Sequence, residues 1–578
     1  MLPRRSFLPS ILIGVLAILF VAACAPTQAP QAAEPGGGET APSQETSSEP
    51  SEPAEPATVV IAMYQEPESL NPMISVQTVV DVVSSLALES LLDIDPDGNF
   101  VPALATEVPS IANGGLSEDG LTLTYKLREG VTWADGEPFT SADVKFTWEA
   151  IMDPDNVVVS TAGYEDIESI ETPDDYTVVI KFSKLYAPAL TLFDYVLPHH
   201  GFGGTTKMTG ADFNLKPLGT GPFQVVEWTS GESIILEKNP NYWQKGKPNI
   251  DRIIFRITPS REASVLQIKT GEADVVWDLI EASIPEFDGA SDITLWTTAS
   301  PNVEYLGLNL AARGDPADPD IPHPILGDRR VREAISLAID RTVLVDKLLY
   351  GKSKIATSAI GLGWAADPTI TIAPYNPDQA RALLEEAGWV DSDGDGIRDK
   401  DGAKMSLEIT TTSGNKLREL AEQVIQEQLK EVGIELVINN VPSATLFGGW
   451  DAGGPLKRGN FDIAMDTWGP GIDPDAFLTI LFHSSSIPTE ENGGQGWNFF
   501  RLKNPDLDKA IEEGRSTLDI EQRKVAYAKA ARLINDTYAY IPLYNRLEIN
   551  AFRNNVTNWT PNPWEDFTWD AEEWQVQK

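Results

Sequence analysis

The stretch LRELAEQVIQEQLKEVGIELVI, Leu417–Ile438, decides the fold class. Leu417, Leu420, Val424 and Ile425 recur at intervals that turn one face of an α-helix toward a core. Gly433 ends the pattern, because glycine tolerates the left-handed backbone that terminates helices. Ile434–Ile438 follows at once with residues suited to a strand. A helix running directly into a strand is an α/β unit, and its strand needs a sheet to join. Working outward, Thr58–Met63 is a short apolar, β-branched run that reads as a buried first strand. Alternation of period two predicts strands at Leu121–Leu127, Tyr176–Phe182, Ser233–Glu237 and Arg252–Ile257. Helices are interleaved. Thr140-Ser141-Ala142-Asp143 has the spacing of a capping box, and Asn376-Pro377 opens a helix that Gly388 closes. Another helix begins near Arg329, just after a Pro- and Asp-rich patch at Asp315–Pro324 that reads as a crossing between lobes. No period of 20–50 residues marks a solenoid or propeller.

The chain has 578 residues, with 86 acidic against 44 basic side chains and a formal charge of −42. That length predicts roughly two to four domains or one large lobed fold. A balance this acidic excludes a nucleic-acid binder that works by neutralising phosphates, and broad docking on anionic lipid. Hydrophobic content of 42% and 15 Trp supply a sizeable core. The single cysteine excludes a disulfide framework and a cysteine-rich metal or iron–sulfur site. No cofactor is expected.

That cysteine, Cys24, closes the N-terminal segment. Arg4 and Arg5 precede an apolar run from Ile11 to Ala23, and Val21-Ala22-Ala23 leads into Cys24. Basic residues, a short apolar core and small residues at its end predict a signal peptide over 1–23. A membrane-spanning helix is the alternative, since Phe7–Ala23 nears the lower limit of about 17 residues for a span. The small residues before Cys24 resemble the bacterial lipobox, which implies an acylated Cys24 and a lipid anchor. Arg4-Arg5-Ser6-Phe7-Leu8 also resembles a twin-arginine export signal, so two export routes stay open. Residues 24–57 are rich in Pro, Glu, Ser, Ala and Gly and predict a disordered tether. Roughly 33 such residues reach about 30 Å.

Catalytic signatures are scarce. Gly351-Lys352-Ser353 hints at a phosphate loop, but Asp346 stands where its first glycine belongs. No nucleophile elbow and no zinc-protease motif occurs. Of the histidines, His199 and His200 are adjacent and point apart in any regular element; His323 and His483 stand alone. A glycosidase-type carboxylate pair remains open, although nothing selects two members. Asp391, Asp393 and Asp395 with Gly396 match the start of an EF-hand loop, but Gly402 replaces the twelfth-position Glu. The reading is an acidic turn, with a weak calcium site as the alternative.

Several segments together resemble one family. These are Glu66–Pro72, Gly120–Gly136 continuing into Phe139–Val144, Gly219-Thr220-Gly221-Pro222-Phe223, Asn239-Pro240-Asn241-Tyr242-Trp243, Val331–Ile335 with Ala338–Arg341, and Ala380–Gly388. The ordered set is similar to the oligopeptide/dipeptide/nickel-binding family of extracytoplasmic solute-binding proteins, the receptors of ABC importers. The resemblance runs from Thr58 to the C-terminus. It implies an α/β, two-lobed, periplasmic-binding-protein-like clamp with a hinge and an extra domain inserted in the N-terminal lobe. By that analogy lobe I comprises 58–90, 215–300 and 541–578, the inserted domain 91–214, and lobe III 301–540. A small solute or peptide is held between lobes I and III by a non-catalytic monomer, which delivers it to membrane permease and ATPase subunits. Closure of such a clamp is an equilibrium that ligand biases through its differential affinity for the closed state.

In peptide-binding members a Trp followed three residues later by Asp meets the peptide's amino terminus. Trp468 matches, but Gly471 stands at the Asp position, and Asp473 is the nearest carboxylate that could replace it. Trp364, Trp450 and Trp497 lie in Gly-rich segments, where they could cover a peptide, stack on a sugar or pack in a core. Tyr64 and Gln65, just past the first strand, are cleft candidates by position. The ligand expected is an oligopeptide, with oligosaccharide next; the other classes are an extracytoplasmic glycoside hydrolase and a passive adhesion protein.

Overall fold

The computed structural model describes residues 56–577 apart from Val76 and Val157. The signal-peptide, Cys24 and tether expectations lie outside the described residues. In chain order the strands used below are β1 (Thr58–Met63), β2 (Thr122–Lys126), β3 (Ile167–Asp174), β4 (Thr177–Phe182), β5 (Phe223–Thr229), β6 (Ser233–Lys238) and β7 (Arg252–Ile257). They continue as β8 (Val275–Val276), β9 (Ile293–Leu308), β10 (Ser406–Thr410), β11 (Glu435–Ile438), β12 (Ile463–Trp468) and β13 (Tyr540–Arg553). The helices used below are α1 (Thr78–Ser84), α2 (Ser141–Ile151), α3 (Arg261–Thr270), α4 (Arg329–Ala338), α5 (Pro377–Glu386), α6 (Lys416–Glu431) and α7 (Ile520–Thr537).

The α/β unit read at Leu417–Ile438 is α6 followed by β11, with Gly433 at φ 86° where the chain turns. Each strand expected from alternation forms, and Thr140 and Asp143 make the reciprocal capping box of α2. Asn376 caps α5 through its side chain.

Ten strands make one sheet, in the order β11-β10-β12-β9-β13-β8-β1-β7-β6-β5. Toward one end β1 runs parallel to β7 and β8, and α3 is the crossover between those two. At the other end β10 runs parallel to β11 and β12, and α6 connects β10 to β11. Parallel neighbours require such crossovers, which cover the sheet and bury it on both faces. One face carries a core that continues across both halves, from Ala62, Val276 and Ile549 to Leu306, Leu407 and Ile463. The opposite core is split. Ile61, Val275, Trp296 and Phe552 gather in one half, and Tyr305, Ala464, Phe500 and Tyr540 in the other. A third core, including Tyr125, Trp133, Phe139 and Ile180, lies between α2 and a separate sheet of order β2-β4-β3.

Two long strands join the halves. Ile293–Ala299 of β9 pairs with Leu547–Arg553 of β13, and beyond a break Val303–Gly307 pairs with Tyr540–Asn545 of β13 on one side while Val303–Leu308 pairs with β12 on the other. The β9–β13 register shifts between Ala299 and Val303, across Ser300-Pro301-Asn302. Proline there has no N–H for the ladder, and a bulge lets the strands bend. The Nδ2 of Asn545 donates to the Ser300 carbonyl at 2.9 Å, closing the gap left by the missing pairs. The chain thus crosses between lobes inside β9 and β13. The Asp315–Pro324 patch, expected at a crossing, instead folds back locally, with Ala312 N–H on the Ile321 carbonyl and Ala317 N–H on that of Arg458. Its Pro and Asp content reports a tight loop, which sequence alone cannot distinguish from a hinge.

Candidate functional site

Where the split core leaves a gap, a cavity of about 900 Å³ opens. It sits at the carboxyl ends of β1 and β8, the edge where open α/β sheets place ligands. Tyr64 and Gln65 follow β1, Trp277 and Asp278 follow β8, and Glu548 and Asn550 come from β13 near the register shift. By strand alternation Glu548 and Asn550 share a face with Phe552, so polar groups replace the apolar core at this point. α1 supplies Asp81, the small-sheet region supplies Asp194 and Tyr195, and the C-terminal segment supplies Trp564 to Asp566. Ile472 reaches the cavity from the other lobe.

One wall of this cavity is braced by Arg261. Arg261 lies 3.8 Å above the Tyr64 ring and donates to the Tyr64 hydroxyl at 2.6 Å and to the Asp278 carboxylate at 2.5 Å. Tyr64 stacks on Trp277 with ring centres 6.4 Å apart. Burial, then the neighbouring Asp278, raises the Tyr64 hydroxyl above its ordinary range, so it stays protonated. Asp278 adopts the left-handed backbone at φ 55°, and its N–H donates to the Asn550 Oδ1 at 3.0 Å. A non-glycine residue in that conformation stores strain, which clusters at binding sites. Gly219 is required just behind the wall: a Cβ there would stand 1.7 Å from the Ala87 carbonyl, and Gly221 N–H bonds that carbonyl at 2.9 Å. The Gly-Thr-Gly motif is therefore a close backbone crossing.

Electrostatically the cavity is one-sided. Nine of its lining side chains are carboxylates, and none is Lys or Arg. Burial raises Asp81 to about 6, with Asp194 adding repulsion, and burial likewise raises Asp194 to about 6. Glu548 is pushed up to about 7 by burial and then by Asp278, and Glu572 to about 7 by burial. Glu89 and Glu565 are raised to about 8, in each case chiefly by burial. Asp566 is raised well above the carboxylate range by burial, Asp81 and Glu548. Burial thus holds these carboxyl groups more protonated near neutral pH than exposed ones.

The sequence candidates divide. Tyr64 and Gln65 line the cavity. Trp364 is buried one layer away, its Nε1 donating at 2.7 Å to the carbonyl of Ile472. Trp450, Trp468 and Trp497 cluster in the other lobe outside this cavity. Lys457 stands 3.9 Å over Trp497, which meets Trp468 edge-on at 6.0 Å, and Arg458 lies 4.5 Å over Trp450. Asp473 is engaged elsewhere: both its oxygens accept from Arg523, at 2.6 and 2.7 Å, and both side chains are buried. The carboxylate expected to replace the missing Asp of the Trp motif is thus committed to a structural ion pair. Arg523 also donates to the Ala187 carbonyl at 3.0 Å, tying α7 to the small-sheet region. Sequence reasoning missed Trp277, Asp278, Glu548, Asn550, Trp564 and Asp566. The available signal was the run of Trp and acids between Trp559 and Trp574.

Among the described residues, the grouping of His, Cys, Asp and Glu close enough to hold an ion is Asp391, Asp393 and Asp395, all exposed. Lys404 bonds both Asp393, at 2.8 Å, and Asp395, and Asp391 accepts from Gly394 and Gly396 N–H. An ammonium group holds the centre of this acidic turn. His200 bonds Asp135 while His199 packs on Phe146, so the adjacent histidines do diverge. No helix of the described residues is long and apolar enough to cross a membrane.

The family described as bacterial extracellular solute-binding proteins, family 5 Middle, matches residues 99–489. The oligopeptide-binding protein AppA of Bacillus subtilis is 28% identical over 535 residues, covering 90% of this chain and 92% of that protein. The structure of AppA in complex with a nonapeptide matches with a TM-score of 0.64 at 27% identity, over 91% of this chain and all of that one. The crystal structure of NikZ from Campylobacter jejuni, in complex with Ni(L-His), matches with a TM-score of 0.68 at 26% identity, over 90% and 100%.

Proposed function

Because this chain belongs to the bacterial extracellular solute-binding proteins of family 5, we propose that it is the substrate receptor of an ABC importer that captures a short peptide in the 900 Å³ cavity and passes it to a membrane permease. The observation that carries this reading is the cavity's place beside the two strands that cross between lobes. A ligand there touches β13 just past its register shift, so binding and hinge bending are mechanically linked. A volume near 900 Å³ suits a small, largely enclosed solute. Peptide is favoured because AppA, aligned over 92% of its length, is an oligopeptide-binding protein, and a Pseudomonas aeruginosa relative aligned over 86% of its length is a di/tripeptide-binding protein.

The receptor acts by closing on its ligand without chemical change, and a separate ATPase supplies energy. Moving such a clamp from mostly open to mostly closed requires about 5.5 kcal/mol of preferential binding to the closed state. Acylated Cys24 anchors the protein outside the membrane, the residues after it serve as the tether, and the body works as a monomer. In this reading lobe I comprises 58–90, 215–300 and 541–578, the inserted domain 91–214 and lobe III 301–540.

The test is calorimetry of the full chain against di- to pentapeptides, followed by mass spectrometry of the recovered ligand. Saturable binding with the peptide intact is the expected result. Cleaved or glycosidically hydrolysed ligand, or no peptide binding at any length, overturns the reading.

A further inference from the structure

The carboxylates around the cavity fall into two sets. Four have local partners: Asp278 meets Arg261, Asp93 accepts from Ser90 at 2.5 Å, Glu89 from Trp243 Nε1 at 3.0 Å, and Glu565 from Ile94 N–H at 3.0 Å. The other five, Asp81, Asp194, Glu548, Asp566 and Glu572, have neither a cation nor a side-chain donor among the described residues. They come from α1, the small-sheet region, β13 and the C-terminal segment, so no local turn or cap accounts for their convergence. A cavity with low-dielectric walls and charge of one sign concentrates ions of the other sign.

A second feature, independent of charge, points to a ligand in the same cavity. Asn550 is 4% exposed and lines the cavity. Its Oδ1 is occupied by the Asp278 N–H, which fixes the amide orientation and leaves the NH₂ without a protein acceptor. A buried donor left open calls for an acceptor from outside, such as a carbonyl. Trp277, Trp564 and Trp569 add aromatic surface to the wall, whereas the Tyr64 face is already covered by Arg261 and that of Trp243 by Arg128. Aromatic faces attract ammonium and guanidinium groups, and they do so most strongly where water is excluded.

We propose that the solute taken by this cavity carries two or more ammonium or guanidinium groups, on a basic peptide or on a free polyamine. The assignment rests on the reading of this cavity as the receptor's solute site. The five unpartnered carboxylates receive the positive groups, the aromatic faces cover them, and Asn550 donates to a carbonyl if the solute is a peptide.

The test titrates the full chain by calorimetry with trilysine, spermidine, trialanine and triglutamate. Trilysine is expected to bind about tenfold or more tighter than trialanine, with triglutamate weaker than both. Raising sodium chloride from about 50 to about 500 mM is expected to weaken trilysine strongly and trialanine little. Glu548→Gln combined with Asp566→Asn is expected to weaken trilysine by about tenfold. The salt series on the unaltered chain keeps the test valid if that variant does not fold. Binding of trilysine alone assigns a basic peptide, and equal binding of spermidine assigns a free polyamine. Trialanine binding as tightly as trilysine leaves the peptide-receptor reading intact and overturns the cationic one. No binding by any of the three peptides overturns the peptide-receptor reading, and spermidine then tests charge by itself: binding supports the cationic assignment and failure overturns it.

Discussion

Glu304 on β9 and Glu548 on β13 lie on strands that pair with each other, yet one is neutralised and the other is not. Glu304 is fully buried and accepts from Arg418 at 2.7 Å, from Thr467 at 2.6 Å and from Arg546 at 3.2 Å. Glu548 faces the cavity without a cation. The contrast extends to the regions around them. In the lobe that holds β12, Asp462 faces His323 and Arg313, Asp466 faces Arg418, Asp473 faces Arg523, and Asp475 faces Arg515. Glu422 there makes do with Asn440 and is raised to about 7 by burial. Around the cavity five acids have no such partner. Buried charge is stable when paired and costly when alone. The lobe that holds β12 pairs most of its buried acids with cations, whereas of the cavity's nine carboxylates Asp278 has an arginine and five are left available for a partner from outside.

The contrast can be broken most directly at Glu304. Glu304→Ala removes the carboxylate shared by Arg418, Thr467 and Arg546, leaves a buried void and is expected to cost about 3–5 kcal/mol in denaturant unfolding. A loss below about 1 kcal/mol would make this network equivalent to exposed pairs and erase the difference. Next in size is Asp473→Ala, which removes the partner of Arg523 and is expected to cost about 3 kcal/mol while peptide affinity changes less than about twofold. Calorimetry showing the reverse, intact stability with lost affinity, would return Asp473 to the ligand.

On the cavity side the sign inverts. Glu548→Gln with Asp566→Asn is expected to stabilise the ligand-free protein by about 1 kcal/mol, since a neutral amide escapes the cost of burying or protonating a carboxylate. The same physics sets a pH dependence. Glu548, Glu565 and Glu89 have folded-state values of about 7, 8 and 8, above those of the unfolded chain. Between roughly pH 5 and 8 the native state therefore binds more protons, and stability falls as pH rises through that window. Scanning calorimetry should give a higher melting temperature at pH 5.5 than at 8, with a smaller gap in the double variant. A melting temperature that rises with pH would show that these carboxylates are neutralised after all. The smallest expected effect is Trp564→Leu, which trims one aromatic face and is expected to weaken trilysine about two- to fivefold, read by isothermal titration.

Much of the scaffold was legible because it is written in short-range pattern. The α6–β11 unit, β1, the capping box at Thr140 and the helix cap at Asn376 each depend on residues within one or two turns. Tyr64 and Gln65 were legible for a related reason, because the residues after a buried first strand emerge at the sheet's carboxyl edge. The tryptophans were not: Trp450, Trp468 and Trp497 sit in Gly-rich sequence, yet they gather around Lys457 and Arg458 in the other lobe. Asp473 was visible as a carboxylate near Trp468, but its partner Arg523 lies fifty residues away on α7.

By itself the sequence determined the α/β class, the family and the excess of acid, since periodicity, ordered motifs and net charge are properties of the chain read along its length. Only the tertiary structure decided where that charge stands. Asp81 and Asp194 are more than a hundred residues apart, Glu548 and Asp566 lie more than three hundred further on, and all four meet at one gap in the core. Electrostatic energy depends on distance in space, and folding alone converts separation along the chain into that distance.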